Sequence, residues 1–345
     1  FAVGAPQAGP AVQLDLLCRH AEIVALHRPY EEGCALLSRA VGLAQEQGWA
    51  AQVVQLRARW ALMAFGSEAP PAARAAVAEA EAGLAVLPPA ERGAAEIEVW
   101  LARARLDQHD GRFDEAIAGL QRVQQRTAGP DPTAAAGAVV LIAACHAVRG
   151  DLPAAVRTMD DAIALASRAG LPSVGLIYRD HRLCWLLPDR ARADRTVAEL
   201  EVLERDAMSA GLVPVSASSR LSRGILALAA GDADQALLLL GSSRALLEVV
   251  GRPNMAADAE GLLGLHAHEQ GRTIEALGHY QRAASRRALW RPLVALLGGG
   301  PWPDPDVSDV RTAAITKACR DPGGPRAPAF YTVGWWPALD RVLSR

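Results

Sequence analysis

The chain has 345 residues, 51% of them hydrophobic, and its 36 Lys and Arg stand against 38 Asp and Glu for a net charge of −2. That is enough apolar material to bury a large core, which sets long disorder aside. The evenly mixed charge lacks the one-sided basic footprint of a nucleic-acid-binding surface, so no direct nucleic-acid contact is expected of it. Lys317 is the single lysine and Asn254 the single asparagine, beside abundant Ala, Arg, Gly and Leu, a bias that fits a GC-rich bacterial genome. Five cysteines, Cys18, Cys34, Cys145, Cys184 and Cys319, are odd in number and widely spaced. They signal neither a disulfide framework nor a zinc module, and buried thiols in a reducing cytoplasm are the expectation. No apolar run reaches the roughly 18 residues that span a bilayer and no signal peptide is evident, so a cytoplasmic protein without membrane contact is expected. The chain begins at Phe1 rather than Met, which suits a piece of a longer protein.

Along the chain, helical patterns are broken at regular intervals. The first breaks fall at Arg28 and Pro29 and at Gly66 with its following prolines. From there a unit Gly-x-x-x-x-Ala recurs at Gly111/Ala116, Gly150/Ala155, Gly231/Ala236 and Gly271/Ala276, with glycine intervals of 39, 81 and 40 residues. The interval of 81 is two periods, which places a degenerate unit at Asp189 and Arg190. Each unit reads as a helix of about four turns that ends at a glycine able to take the left-handed cap conformation, followed at once by a second helix. Asp151 with Pro153, Asp232, and Thr273 with Glu275 are the starting signals of those second helices. On them, small or apolar residues return at three- and four-residue steps, as in Ala155, Met159 and Ala162 or Ala276, Tyr280 and Ala283, and so share one face. One hairpin cannot bury such a face alone, whereas stacked hairpins make a continuous core. Seven hairpins fit the chain.

After Trp290 the stretch "WRPLVALLGGGPWPDPD" ends the pattern near Leu297. The expected organisation is an array over residues 12–297 and a Gly/Pro-rich linker with an aromatic tail over 298–345. Residues 306–320 read as one more helix. The segment Phe330 to Trp336 is expected to pack on the last hairpin or fold back into the groove, since its four aromatic rings would otherwise form an adhesive patch.

The units resemble the tetratricopeptide repeat, whose pattern places Trp, Leu, Gly and Tyr on the first helix and Ala, an aromatic and Pro on the second. Leu263 and Gly264 followed by Ala276 and Tyr280 carry the resemblance best, with Trp100 in the Trp position of an earlier unit and Phe113 just past its turn. Ala267 and Asp107 stand where Tyr is expected, and the period is near 40 rather than 34. The longer period resembles the superhelical sensor arrays of large bacterial activators of the maltose-activator and LuxR type, and arrays fused to caspase-like proteases. The resemblance covers about residues 12–290. It implies an all-α, right-handed superhelix of about seven antiparallel hairpins, with first-helix positions facing a concave groove. Counting back from each glycine places Trp60, Met63, Glu98, Arg105, Gln108, Asp180, Cys184, Asp258 and His268 on that inner surface. The family's Lys- and Asn-built clamp for a peptide carboxylate cannot be made from one of each. The groove would instead present apolar surface with one or two charges, which suits a protein or peptide segment or a small molecule.

No GxxxxGK[ST], GxGxxG, GxSxG or HExxH motif is present. His181 and Cys184 stand at i, i+3, and Cys145 abuts His146, but no orienting acid or oxyanion donor accompanies either pair; the expected role of His181 and Cys184 is in packing or lining the groove. His266 and His268 lie about 200° apart around a helix and do not share an ion. No metal or other cofactor is expected. Arg286, Arg287 and Arg291 read as cations at a helix C-terminus. The function expected is thus an interaction module, the effector-sensing or regulatory repeat domain of a larger bacterial regulator. A self-contained enzyme using the concave cavity with the tail as its lid, or a plain assembly scaffold, are the alternatives.

Overall fold

A computed structural model describes residues 9–27, 30–66, 70–127, 132–304, 310–326 and 336–344. Among them there is no strand, and the helices come in seven pairs. These are α1 (Pro10–His27) with α2 (Tyr30–Glu46), α3 (Ala50–Gly66) with α4 (Pro70–Val86), α5 (Pro89–His109) with α6 (Phe113–Thr127), and α7 (Pro132–Val148) with α8 (Leu152–Arg168). They continue as α9 (Pro172–Leu186) with α10 (Ala193–Ser209), α11 (Val213–Ala230) with α12 (Ala233–Val249), and α13 (Pro253–Glu269) with α14 (Thr273–Ala284). Three shorter helices follow, α15 (Arg291–Gly298), α16 (Val310–Arg320) and α17 (Trp336–Leu343). The chain forms two compact units, Phe1–Ala138 and Val139–Arg345, the second of which includes α15, α16 and α17. In the first unit each helix from α1 to α6 packs on the next, and in the second each from α8 to α16 does; first helices also touch one another, α3 with α5 in the first unit, α9 with α11 and α11 with α13 in the second.

The turns inside the hairpins are those expected from the glycine ladder. Gly111, Gly150, Gly231 and Gly271 have φ of 79°, 89°, 83° and 72°. At Gly231 the glycine N–H donates to the Leu228 carbonyl at 3.2 Å and the next N–H, of Asp232, to the Ala227 carbonyl at 3.0 Å. This double closure satisfies carbonyls that the helix end leaves open. A second ladder, not anticipated, joins one hairpin to the next: Gly170, Gly211 and Gly251, with φ of 68°, 71° and 66°, close α8, α10 and α12 in the same way. Asp151 and Asp232 cap the following helices through their carboxylates, accepting from the N–H groups of Ala154 at 3.0 Å and Gln235 at 3.1 Å. At the last hairpin α14 starts at Thr273, as expected. The turn leaves one residue for the cap position, and here it is Arg272, which gives no side-chain cap and pairs with Glu275 at 2.8 Å. Asp189 caps the short 3-10 turn Arg190–Arg192 at the degenerate unit.

Packing follows the small residues. Ala155, Met159, Ala162, Ala276, Tyr280 and Ala283 are fully buried on their second helices. Asp107, in place of the repeat's Tyr, is buried as well, and accepts from Arg103 at 3.1 Å and Arg112 at 2.7 Å. Trp100 is half-buried, with the Arg122 guanidinium 5.5 Å above its ring. At the end of the array Trp290 is fully buried and stacks on Tyr280, centroids 6.1 Å apart and planes at 16°. Its indole N–H donates to Asp258 at 3.0 Å, and Arg287 pairs with the same carboxylate. The Arg-rich "SRRALW" stretch therefore does more than face a helix end, because Arg287 is held by Asp258 and Arg286 by Glu248 at 3.5 Å. Phe330, Tyr331 and Trp335 lie outside the described residues.

Gly264 and Gly261 on α13 let both rings approach. A Cβ at Gly264 would stand 2.8 Å from Tyr280, and one at Gly261 would stand 2.3 Å from the Trp290 ring. A buried indole has no flexible end to give way, so Gly261→Ala is expected to destabilise the chain by on the order of 1–3 kcal/mol. Thermal or urea unfolding of the variant checks this, with Gly241→Ala, which has open space around it, as the near-neutral comparison.

Candidate functional site

Burial of polar groups is uneven between the two helices of a hairpin. On first helices the buried polar residues include Asp107 and Gln108 of α5, Asp180 of α9, Ser216, Ser218, Ser219 and Ser222 of α11, and Glu260 and His266 of α13. Second helices bury Thr127, Thr196 and Ser243. Two of these three serve backbone carbonyls, Thr127 that of Val123 at 2.8 Å and Ser243 that of Ala217 at 2.7 Å. In each unit the first helices thus carry most of the buried polar groups, which need specific partners inside a protein.

The predicted site residues fall into separate groups. In the first unit Trp60 and Met63 of α3 are half-buried and pack against the buried Cys34, Ala64 and Ala73. Glu98 accepts from Arg59 at 2.7 Å, and Arg105 donates to the side-chain oxygen of Gln108 one turn on. In the second unit Asp180 and Cys184 stand one turn apart on α9 and face α11, where Ser222 lies 3.6 Å from the Cys184 sulfur. His268 of α13 is further along, its Nδ1 3.4 Å from the Tyr280 hydroxyl. Sequence reasoning missed Ser218 and Ser222. The spaced serines of "SASSRLSR" were the available signal, but nothing in α11 alone says which helix they meet.

The Asp180–Cys184 seam has distinctive electrostatics. Burial pushes the Asp180 carboxyl up to about 7, against a hydrogen bond from Ser218 that lowers it. Its Oδ1 has no hydrogen-bond partner among the described residues. Burial likewise pushes the Cys184 thiol up to about 12, with the Asp180 charge adding to the effect and Ser222 and Ser218 opposing it. The nucleophilic form of a cysteine is the thiolate, so Cys184 is a packed, weakly polar group at neutral pH and not half of a thiol–imidazole pair with the exposed His181.

A cavity of about 250 Å³ opens between α8, α9 and α10, lined by Asp160, Ile163, Arg179, Arg182, Leu183, Arg195 and Glu199. Its cations are already engaged: Arg182 pairs with Asp160 at 2.6 Å and Glu199 at 3.3 Å, Arg195 with Glu199 at 2.9 Å, and Arg179 with Asp206 at 3.0 Å. Among the described residues no group of three His, Cys, Asp or Glu side chains is placed to hold a metal ion. None of the described helices is long and apolar enough to cross a membrane.

The same architecture recurs among solved structures. One is a Rap protein complexed with competence and sporulation factor, at TM-score 0.62 and 15% identity, covering 90% of this chain and 85% of that one. The fold is a tetratricopeptide-like helical repeat array. Aspartyl phosphate phosphatase F from Bacillus subtilis is similar at TM-score 0.56 and 11% identity, with 81% and 71% of the two chains covered. The signal-transduction ATPase with a tetratricopeptide repeat sensor from Pyrococcus horikoshii is similar at TM-score 0.55 and 11% identity. That likeness covers 89% of this chain and 47% of the ATPase chain. No family model matches the chain, and no curated protein matches it.

The raised Asp180 carboxyl has a stability consequence. An unfolded aspartate ionises near its ordinary 3.8, whereas the folded one holds its proton to about 7. Between those values the folded state binds more protons, so stability falls as pH rises through that window and is flat above it. Asp180→Asn removes that dependence. Its gain over the native chain is expected to grow between pH 4 and 7 and to level off above, at on the order of a few kcal/mol. Urea unfolding of both chains at pH 5 and pH 8 checks it, and an equal difference at the two values contradicts a proton held by burial.

Proposed function

We propose that the chain is the recognition array of a larger bacterial regulator, binding a protein or peptide segment or a small molecule on the layer of its first helices. The observation that carries this reading is the concentration of buried Asp, Glu, Gln, His and Ser on first helices, set beside second helices whose buried faces are almost wholly apolar. A layer made only to pack would not need such groups, which are costly inside a protein unless they are paired. A layer made to recognise uses a few well-placed polar groups in apolar surroundings. The structural neighbours support the same use of the fold, one having been captured with a sporulation factor and another carrying its repeats as a sensor. On this reading residues 12–297 form the array and residues 298–345 its appended tail, with Trp60 and Met63 supplying apolar contact area. Glu98, Arg105, Gln108, Asp180, Cys184 and His268 supply polar contacts, and the protein works in the cytoplasm.

The test begins with a binding partner, retrieved by the immobilised chain from a bacterial lysate or found by thermal-shift screening of metabolites, followed by titration of variants. Trp60→Ala and Arg105→Ala are each expected to weaken binding by on the order of 1–3 kcal/mol, the range for an aromatic anchor or a charge-assisted hydrogen bond. Arg105→Ala is expected to leave the melting temperature closer to native than Trp60→Ala does, since Trp60 also packs on Cys34, Ala64 and Ala73. Unchanged affinity in both folded variants removes this assignment of the surface.

A further inference from the structure

The last helix, α17, lies on two first helices, α11 and α13. Ala338, Leu339, Val342 and Leu343 are buried, and their i, i+1, i+4, i+5 spacing puts them on one helical face. Beside that face Arg341 reaches over the helix ends. Its Nε donates to Glu269, the last residue of α13, at 2.6 Å, and its Nη2 to the carbonyl of Leu228, in the last turn of α11, at 3.5 Å. Both lie at helix C-termini, where the negative pole of the helix favours a cation. A second contact ties α17 to the preceding segment, Arg326 donating to Asp340 at 3.0 Å.

Two features make this docking separable from the core of the array. A helix of eight residues is well below the roughly 12–15 that hold themselves together in water, so α17 keeps its form only while docked. The Nη1 of Arg341 is also buried with no hydrogen-bond partner among the described residues, so the docked helix carries an unpaired buried donor that weakens its own hold on the site.

From these contacts we infer that the α11–α13 face is a binding site for a short amphipathic helix of a protein partner, apolar on one side and carrying an arginine that meets Glu269, and that α17 is its built-in competitor. The inference rests on the proposed reading of the array as a recognition module and narrows it to one surface and one class of partner. Binding there requires α17 to leave, so affinity for the partner is lowered by the fraction of chains in which α17 is docked.

The test uses the full chain and its own helix as the probe. A fluorescently labelled peptide of residues 327–345 is titrated into the native chain and into a full-length variant with Leu339→Asp and Arg341→Glu, which expels α17 by placing charge in its apolar face and opposite Glu269. The variant is expected to keep its helical circular dichroism and cooperative melting and to bind the peptide at least tenfold more tightly than the native chain. Adding Glu269→Arg to the variant is expected to abolish binding of the native peptide and to restore it for a peptide carrying Arg341→Glu. Three results overturn the inference: a folded variant that leaves the peptide unbound, a native chain that binds equally well, or loss of the cooperative fold in the variant, which would make α17 a structural cap. Because the probe comes from the chain itself, this outcome is independent of whether a lysate partner or a metabolite is found. The wider reading can hold through Trp60 and Arg105 while the α17 inference fails, and the reverse.

Discussion

The left-handed glycine turn is the constraint on which the rest of this structure depends. At most of the short connections between antiparallel helices the helix end closes on itself and the chain reverses immediately, and that closure needs a residue with φ near +70 to +90°. Among the described residues nine glycines have a φ of 66–89°; eight of them serve turns within hairpins or between them, and Gly299 ends α15. The repeat length follows from this economy. Helices such as α12 and α13 are each 17 residues long, and two of them with two tight turns make a period near 40, where shorter helices would have made the 34 of the usual repeat.

With the turns in place, the distance between helices is set by what stands at the contact. Alanines on the second helices bring backbones together throughout, and at α13 two glycines allow the Tyr280 and Trp290 rings to lie against the backbone. Trp290 then closes the apolar core at the end of the last hairpin, and Asp258 binds its indole while engaging Arg287. Nearby, burial would raise the Glu260 carboxyl, but hydrogen bonds from His279, Arg244 and Arg282 outweigh it and hold the group down to about 2. Two buried acids in one fold thus stand in opposite states: Glu260 is surrounded by cations, whereas Asp180 meets serines. The difference lies in the partners, since both are withdrawn from water.

That contrast bears on function. Glu260 cross-links α13 to α12 and α14, and Asp107 ties α5 to its own turn; such paired acids have little left to offer a ligand, whereas among the described residues the Asp180–Cys184 seam retains an unsatisfied oxygen beside the partly buried Cys184. First helices therefore differ along the chain in what they present, although their backbone role is the same. The C-terminal segment adds to this by returning a helix to the first helices of the last two hairpins instead of extending the stack.

Periodic glycines, alanines at fixed offsets and capping aspartates act locally, through neighbours at most five residues away, which is why the sequence by itself determined seven hairpins, the glycine turns inside them and the burial of residues such as Met159, Ala276 and Tyr280. The resemblance to the tetratricopeptide pattern also made first-helix residues such as Asp180 and Cys184 inward candidates, because its register assigns a face without knowing its partner. What occupies that face was decided only by tertiary structure. Ser222 meets Cys184 from 38 residues away, Arg341 meets Glu269 from 72, and Arg59 meets Glu98 from 39. Such pairings depend on which helices stack and at what offset, and local pattern carries no record of either. The same reason hid the second glycine ladder at Gly170, Gly211 and Gly251, since a turn between hairpins and a turn within one use the same local chemistry and are told apart only by the neighbours each brings together.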